Sequence, residues 1–254
     1  MRWLCTILLG AVLAASAAHA DSAKQLYAAG KYQQTETAGI AENNAEGYTY
    51  AARAILAHEA MGAPCLDCLK RAEGYARKAV AADPNYPDAH TYLAAALGYQ
   101  GRIIGMVRAR LNNYPEEAKA NIDAALKADP NNARALAARG GWNIEIVRAG
   151  GETMASLLYG ANIEAGQKDF ERAFAAAPDN LVLRFQYALV LTGYDPERFR
   201  DTIADSLARA IAGKPETAFD AFEQGRAREL QETLKRGDMD AVARLVKHDQ
   251  GYPD

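Results

Sequence analysis

The chain has 254 residues, of which 50% are hydrophobic and 24% are charged, and its formal net charge is −3. This length suits one elongated domain or two small ones, and the slight acidic excess gives no reason to expect a nucleic-acid partner. Alanine is abundant and runs of β-branched residues are missing, so helix is the expected secondary structure throughout.

The first twenty residues have the layout of a secretory signal peptide. Arg2 supplies a positive start, residues 4–15 are almost all apolar, and small residues stand at positions 18 and 20. The apolar run is shorter than the roughly 20 residues that span a bilayer. We therefore expect cleavage after Ala20 and export to the periplasm or the medium, with an uncleaved anchor as the alternative. We expect no transmembrane segment in the mature chain.

Two cysteines, Cys65 and Cys68, remain after that cleavage. Exported proteins meet an oxidising compartment, so we expect a disulfide that fastens the loop after Pro64 to the start of a helix. The spacing is also that of thiol–disulfide oxidoreductases, but a helix rather than a strand is expected before it. Free thiols or a metal are further alternatives, although two cysteines are too few to close a zinc site. We therefore expect no metal.

Three segments of the chain align without gaps and indicate an internal repeat. Each has small or apolar residues at positions i, i+4 and i+7, and a proline five residues later. The three sets are Ala72, Ala76, Ala79 and Pro84; Ala118, Ile122, Ala125 and Pro130; and Gly166, Phe170, Ala173 and Pro178. Such residues form one stripe on a helix and let a second helix approach, whereas the proline ends the helix.

A second small residue follows each proline by ten positions, and these residues are Ala94, Gly140 and Ala188. Each unit is therefore predicted to be helix, turn, helix, with small residues where the two helices cross. The pattern resembles the tetratricopeptide repeat over about residues 24–248. The resemblance implies an all-α fold, in which helical hairpins form an α-α superhelix over residues 21–194 and residues 195–254 form a helical C-terminal cap.

The repeat departs from the tetratricopeptide family in its period. Successive prolines are 46 and 48 residues apart, whereas the repeat length of the family is about 34 residues. The surplus lies between the first and second helix of a unit, so we predict lengthened hairpins. Single helices are predicted over residues 22–42, 88–111 and 152–177. Arg139 is a further departure, because the family usually has a large apolar residue there.

An arginine set is the first candidate binding site. Arg102, Arg108, Arg139 and Arg148 lie in or near the first helices of successive units, and such helices line the concave surface in the tetratricopeptide family. Guanidinium groups on that surface are suited to a carboxylate, such as a peptide C-terminus, because they form paired hydrogen bonds with it. The alternative is an ordinary solvated helix face.

Residues 140–143 are the second candidate. Two glycines inside a helix cost roughly 1 kcal/mol each relative to alanine, and they let a neighbouring helix or a ligand come close. Trp142 would then be a binding anchor beside Asn143, since buried aromatic side chains dominate interface energetics. A packing tryptophan next to a kink is the alternative.

The sequence carries none of the common catalytic or phosphate-binding motifs, so we expect no enzyme activity and no cofactor. The first functional hypothesis is an exported scaffold that binds a protein or peptide partner through its concave face. The second is an accessory component of a solute transport system, which binds a small apolar or acidic ligand between the lengthened helices. A redox protein acting through the cysteine pair is the third.

Overall fold

The computed structural model of the protein describes residues 21–253, so the predicted signal peptide lies outside the described residues. Fourteen α-helices and no strand make up this part of the chain, which confirms the predicted all-α fold. None of these helices combines the length and the apolar character that a membrane span requires.

The helices follow one another along the chain with short connections. They are α1 (Ala23–Ala28), α2 (Tyr32–Glu42), α3 (Ala45–Ala60), α4 (Leu66–Ala82), α5 (Pro87–Ile104), α6 (Met106–Leu111), α7 (Tyr114–Ala128), α8 (Ala133–Gly150), α9 (Glu152–Tyr159), α10 (Ile163–Ala176), α11 (Leu181–Tyr194), α12 (Arg200–Ala212), α13 (Ala218–Arg236) and α14 (Met239–Asp249).

Four helical hairpins form the body of the molecule. They pair α3 with α4, α5 with α7, α8 with α10, and α11 with α12. The first helix of each hairpin also contacts the first helix of the next hairpin, so α3, α5, α8 and α11 form one continuous inner layer. The second helix α4 also packs against α5, the first helix of the next hairpin. The predicted α-α superhelix is therefore confirmed.

Small residues stand where the paired helices cross. The stripes predicted on α4, α7 and α10 are buried throughout. Between α8 and α10 the two backbones meet at Gly140 and Gly166, since a Cβ atom on Gly140 would lie 2.8 Å from the carbonyl oxygen of Gly166. A Cβ atom on Gly166 would lie 2.9 Å from the carbonyl oxygen of Gly140. Only glycine permits this approach on both helices.

The three repeat prolines occupy equivalent turns between one hairpin and the next. In each turn the amide two residues after the proline donates a hydrogen bond to the carbonyl one residue before it. These bonds run from Tyr86 to Asp83 at 3.2 Å, from Asn132 to Asp129 at 3.1 Å and from Asn180 to Ala177 at 3.2 Å. The predicted boundaries between the units are therefore confirmed.

The surplus residues of two hairpins form the short extra helices α6 and α9. Gly105, with φ of 84°, separates α5 from α6, and Gly151, with φ of 75°, separates α8 from α9. Glycine tolerates a positive φ because it has no Cβ atom. Both glycines follow a repeat proline by the same 21 residues. The single helix predicted over residues 88–111 is wrong, because Gly105 breaks it.

Two other predicted single helices are also interrupted. The one over residues 152–177 ends at Tyr159, and Gly160, with φ of 65°, begins the link to α10. The one over residues 22–42 is divided into α1 and α2 by Gly30, whose φ is 74°. In both places a left-handed glycine conformation stops the helix.

The C-terminal helices close the superhelix. Helix α12 completes the fourth hairpin by packing against α11. Helix α13 packs on α11 and α12 and also contacts α1, where the ring centroids of Phe219 and Tyr27 are 6.5 Å apart. Residues 249–252 then reach the inner sides of α5 and α8. The C-terminal part of the chain therefore contacts both α1 and the inner layer.

Replacing Gly140 with alanine should lower the free energy of unfolding by roughly 1–3 kcal/mol, because the added methyl group overlaps the backbone of α10. Gly141 supplies a matched control, since a Cβ atom there meets nothing within 4 Å. Gly141→Ala should be neutral or stabilise the helix by about 1 kcal/mol. Urea denaturation measures both changes, and equal stability of the two variants would contradict the close crossing.

Candidate functional site

A cavity of about 960 Å³ lies along the inner layer of first helices. Small side chains at inward positions leave this space empty. They include Ala57 on α3, Ala95 and Gly98 on α5, and Ala138 and Gly141 on α8. Val182 and Leu189 on α11 extend the apolar wall. Helix α13 and residues 249–252 supply the remaining side, so all the inner elements contribute to one site.

Arg53 on α3 lines this cavity and forms no salt bridge with an acidic residue in the described part of the chain. Its guanidinium carbon lies 4.4 Å, 4.6 Å and 5.0 Å from the ring centroids of Tyr27, Tyr50 and Tyr92. Its buried Nε atom has no hydrogen-bond partner within residues 21–253. Cation–π contacts of this kind stabilise a positive charge, but they do not supply an acceptor for the Nε–H group.

The charge of Arg53 is permanent. Burial alone would lower the pKa of Arg53, but the Coulombic influence of Tyr92 and Tyr27 outweighs it, and the pKa lies above its ordinary value. Asp88 adds to this effect, yet its carboxylate pairs with Arg134, at 3.2 Å from Nη1 to Oδ2. A buried N–H group without an acceptor is costly, and Nε of Arg53 is such a group among residues 21–253, so the site is suited to an anion.

Sequence reasoning missed Arg53 as a candidate. The available signal was its position, since Arg53 interrupts the buried, largely apolar run from Tyr50 to Ala57 on α3. A charged residue almost never lies in such a run unless it is paired. The three tyrosines around it come from α1, α3 and α5, and their convergence required the tertiary structure.

Two of the predicted arginines converge in the cavity, where they hold the chain's own C-terminal segment, residues 249–252. Arg102 donates from Nη1 to the carbonyl oxygen of Gln250 at 2.9 Å, and Arg148 donates to the hydroxyl of Tyr252. Both arginines follow a repeat proline by 18 residues. Arg108 does not line the cavity, because it lies exposed on α6, which follows Gly105.

Glu145 on α8 completes the contact with the C-terminal segment. Its carboxylate lies 2.8 Å from Nη2 of Arg148 and accepts hydrogen bonds from Gln250 at 3.0 Å and from Tyr252 at 3.2 Å. Burial, followed by the charge of Glu145, raises the pKa of Tyr252, so its hydroxyl stays protonated and can donate. The segment is therefore held by matched donors and acceptors.

A buried ion-pair cluster fixes the start of the same segment. Arg226 on α13 lies 2.7 Å from Oε1 of Glu223 and 3.2 Å from Oδ1 of Asp249, measured from Nη1 and Nε, and both carboxylates are buried. It also donates to the carbonyl oxygen of Asp249. Burial raises the pKa of Glu223 despite the nearby Arg226. One guanidinium therefore balances two buried acids.

The other predicted binding residues lie around a smaller pocket of about 360 Å³. Arg139 donates two hydrogen bonds to Asp169 on α10, at 2.7 Å and 2.6 Å, which ties the two helices of its hairpin together. Trp142 donates from its indole nitrogen to the carbonyl oxygen of Pro115 at 3.1 Å. Asn143 is buried and donates to the carbonyl oxygen of Arg139 at 3.1 Å. All three side chains are thus engaged within the chain.

Cys65 and Cys68 are joined by a disulfide at the start of α4. The amide of Cys65 donates to Oε2 of Glu59 at 2.7 Å, and the sulfur of Cys65 accepts from the amide of Cys68 at 3.2 Å. Glu59 and the two sulfurs lie within 4.8 Å of one another. Since metals bind the thiolate, the disulfide leaves only the carboxylate of this group free to act as a ligand.

Replacing Arg226 with alanine should lower the free energy of unfolding by about 3–5 kcal/mol, because it leaves two buried carboxylates without a counter-charge. Adding Glu223→Gln and Asp249→Asn should recover most of the loss. Thermal unfolding measures both effects, with Arg209→Ala, which breaks the exposed pair with Asp205, as a control that should change little. A loss no larger than that of the control would contradict the role of the cluster.

Comparison with known sequences identifies the family. The sequence profile of the family described as "Regulator of microtubule dynamics protein 1-3" matches residues 20–189. The match extends from α1 into α11, so α12 to α14 and the C-terminal segment follow it. No curated protein matches the sequence. Because the profile covers 170 of the 254 residues, the chain belongs to the family of regulator of microtubule dynamics proteins 1-3.

Proposed function

We propose that the protein binds a small amphipathic anion, with an apolar body and one carboxylate or phosphate group, in the cavity inside its superhelix. The observation that carries this proposal is Arg53, a half-buried and permanently charged arginine whose buried Nε atom has no hydrogen-bond partner among residues 21–253. A ligand anion would supply the missing acceptor. Hydrogen bonds to charged groups contribute roughly 1.5–3 kcal/mol each.

The rest of the cavity favours an apolar ligand body. Its volume of about 960 Å³ falls within the range of roughly 300–1,000 Å³ that is usual for small-molecule sites. Leu56 and Ala57 lie one turn from Arg53 on α3, and Ala95 and Val182 extend the apolar wall across α5 and α11. Such a wall gains free energy from burying hydrocarbon, at about 25 cal/mol per Å².

A scaffold that holds a protein partner in the concave face has weaker support. Arg102 and Arg148, the residues expected to recognise such a partner, already contact the C-terminal segment. The description of the family names the regulation of microtubule dynamics, and this protein-directed role is the alternative to ligand binding.

We also propose that the hairpins are a lengthened form of the tetratricopeptide hairpin, because they keep its small-residue crossings and closing prolines.

Removing the charge of Arg53 should abolish the preference for an anion. In the wild-type protein we expect dodecanoate to bind at least about tenfold more tightly than dodecanol, because only the carboxylate can pair with Arg53. Arg53→Gln should bind the two probes about equally. Isothermal titration calorimetry with both probes measures the ratio, and Arg209→Gln controls for the loss of one positive charge.

Two results would contradict the ligand proposal. One is a wild-type protein that binds neither probe. The other is an Arg53→Gln variant that keeps the full preference for dodecanoate. In either case the protein-directed alternative gains support, and retention of a protein on the immobilised chain becomes the informative measurement.

We further propose that the protein is exported after cleavage at Ala20. The first helix of the described residues begins at Ala23 and the family match begins at residue 20, so the match includes only the last residue of the predicted signal peptide. N-terminal sequencing of the protein recovered from the exported fraction should begin at Asp21. A protein that is found only in the cytosol and still begins at Met1 would contradict the export proposal.

A further inference from the structure

The two short helices α6 and α9 occupy equivalent positions in their hairpins and share the same local structure. Each follows the first helix of its hairpin after a glycine with positive φ, Gly105 or Gly151. Each is anchored four residues later by a buried alanine, Ala109 or Ala155. The remaining residues of both helices are mostly exposed. Ala109 is therefore the buried anchor of α6, and α9 is held by Ala155 together with Tyr159, whose ring centroid lies 6.0 Å from that of Trp142.

These helices expose large apolar side chains to solvent. We name this set the tip surface, and it consists of Met106, Val107, Leu111, Met154, Leu157 and Leu158. Leu111 is 80% exposed and Leu157 is 76% exposed. Nine large hydrophobic side chains are exposed in the described part of the chain, and six of them belong to this surface. Concentrated apolar exposure of this kind marks an interaction site.

The two halves of the tip surface lie beside each other. The guanidinium of Arg110 on α6 lies 5.9 Å from the ring centroid of Tyr159 on α9. The parent helices α5 and α8 are in contact along the inner layer. A single flat partner can therefore reach both helices at once.

The geometry points to an anionic lipid bilayer as the occupant of the tip surface, independently of the proposed ligand. Helix α6 carries exposed Arg108 and Arg110 among its apolar residues and has no acidic residue. The acidic residue of α9, Glu152, accepts from Tyr194 and lies 3.7 Å from Arg198, so its charge is balanced within the chain. Apolar side chains flanked by arginine are suited to the boundary between headgroups and acyl chains.

A second copy of the chain fits this surface less well. In a two-fold symmetric dimer the same patch meets itself, which would bring the Arg108 and Arg110 pairs of both copies together. Stable dimers also bury roughly 800 Å² on each partner, which is more than six partly exposed side chains on two short helices offer. A bilayer requires neither self-complementarity nor a minimum area.

Vesicle flotation tests this inference on the purified protein. We expect binding to vesicles that contain about one part phosphatidylglycerol to three parts phosphatidylcholine, and weaker binding to phosphatidylcholine alone, since each basic residue near an anionic surface contributes roughly 1 kcal/mol. Leu111→Gln with Leu157→Gln should reduce the partition coefficient about tenfold or more. Arg108→Gln with Arg110→Gln should remove the preference for phosphatidylglycerol.

Met61→Gln with Met239→Gln is the matched control, because these methionines are also exposed but lie outside the tip surface. It should float like the wild-type protein, and thermal unfolding should show that all variants fold. Three outcomes would overturn the inference: no flotation with either lipid mixture, equal flotation of the leucine variant and the control, or a dimer that only the leucine variant loses. The last result would assign the surface to a second copy.

Discussion

Close contact between helices through alanine and glycine is the constraint on which the rest of this structure depends. The backbones of α8 and α10 approach so closely at Gly140 and Gly166 that a Cβ atom does not fit at either position. The buried alanines of α4 and α7 hold the neighbouring hairpins in the same way. Because each hairpin is tight, its first helix can lie against the next first helix. The inner layer that results is lined by small residues and encloses the cavity.

Much of this architecture could be predicted from the sequence because its signals are local. The stripe of small residues and the proline five positions later lie within one helix and one turn, so the sequence predicts the turns between successive hairpins correctly. The breaks at Gly105 and Gly160 were not predicted. Apolar residues continue at helical spacing on both sides of each glycine, and a positive φ is a property of the folded backbone that the pattern does not reveal.

The candidate site was harder to predict because its contacts are distant in sequence. Arg102 and Gln250 are 148 residues apart, and Arg148 and Tyr252 are 104 residues apart. The sequence predicts these arginines as anion-binding residues, and in the structure they donate hydrogen bonds to a carbonyl oxygen and to a tyrosine hydroxyl. The sequence does not predict that the acceptors belong to the same chain. The convergence of α13 and residues 249–252 on the inner layer depends on the curvature of the whole superhelix, and no local pattern encodes it.

Arg53 differs from Arg226 and Arg102 in the groups that surround its guanidinium. Arg226 has two carboxylates and Arg102 has a carbonyl acceptor, so each is explained by the structure that it stabilises. Arg53 packs against the rings of Tyr27, Tyr50 and Tyr92, and its Nε atom has no hydrogen-bond partner among residues 21–253. A methionine at this position could pack against the same three tyrosines without the cost of burying a charge, and such replacements of buried ions are often neutral or stabilising. The cation–π contacts offset part of that cost, and an anion that enters the cavity would supply the acceptor that Nε of Arg53 lacks.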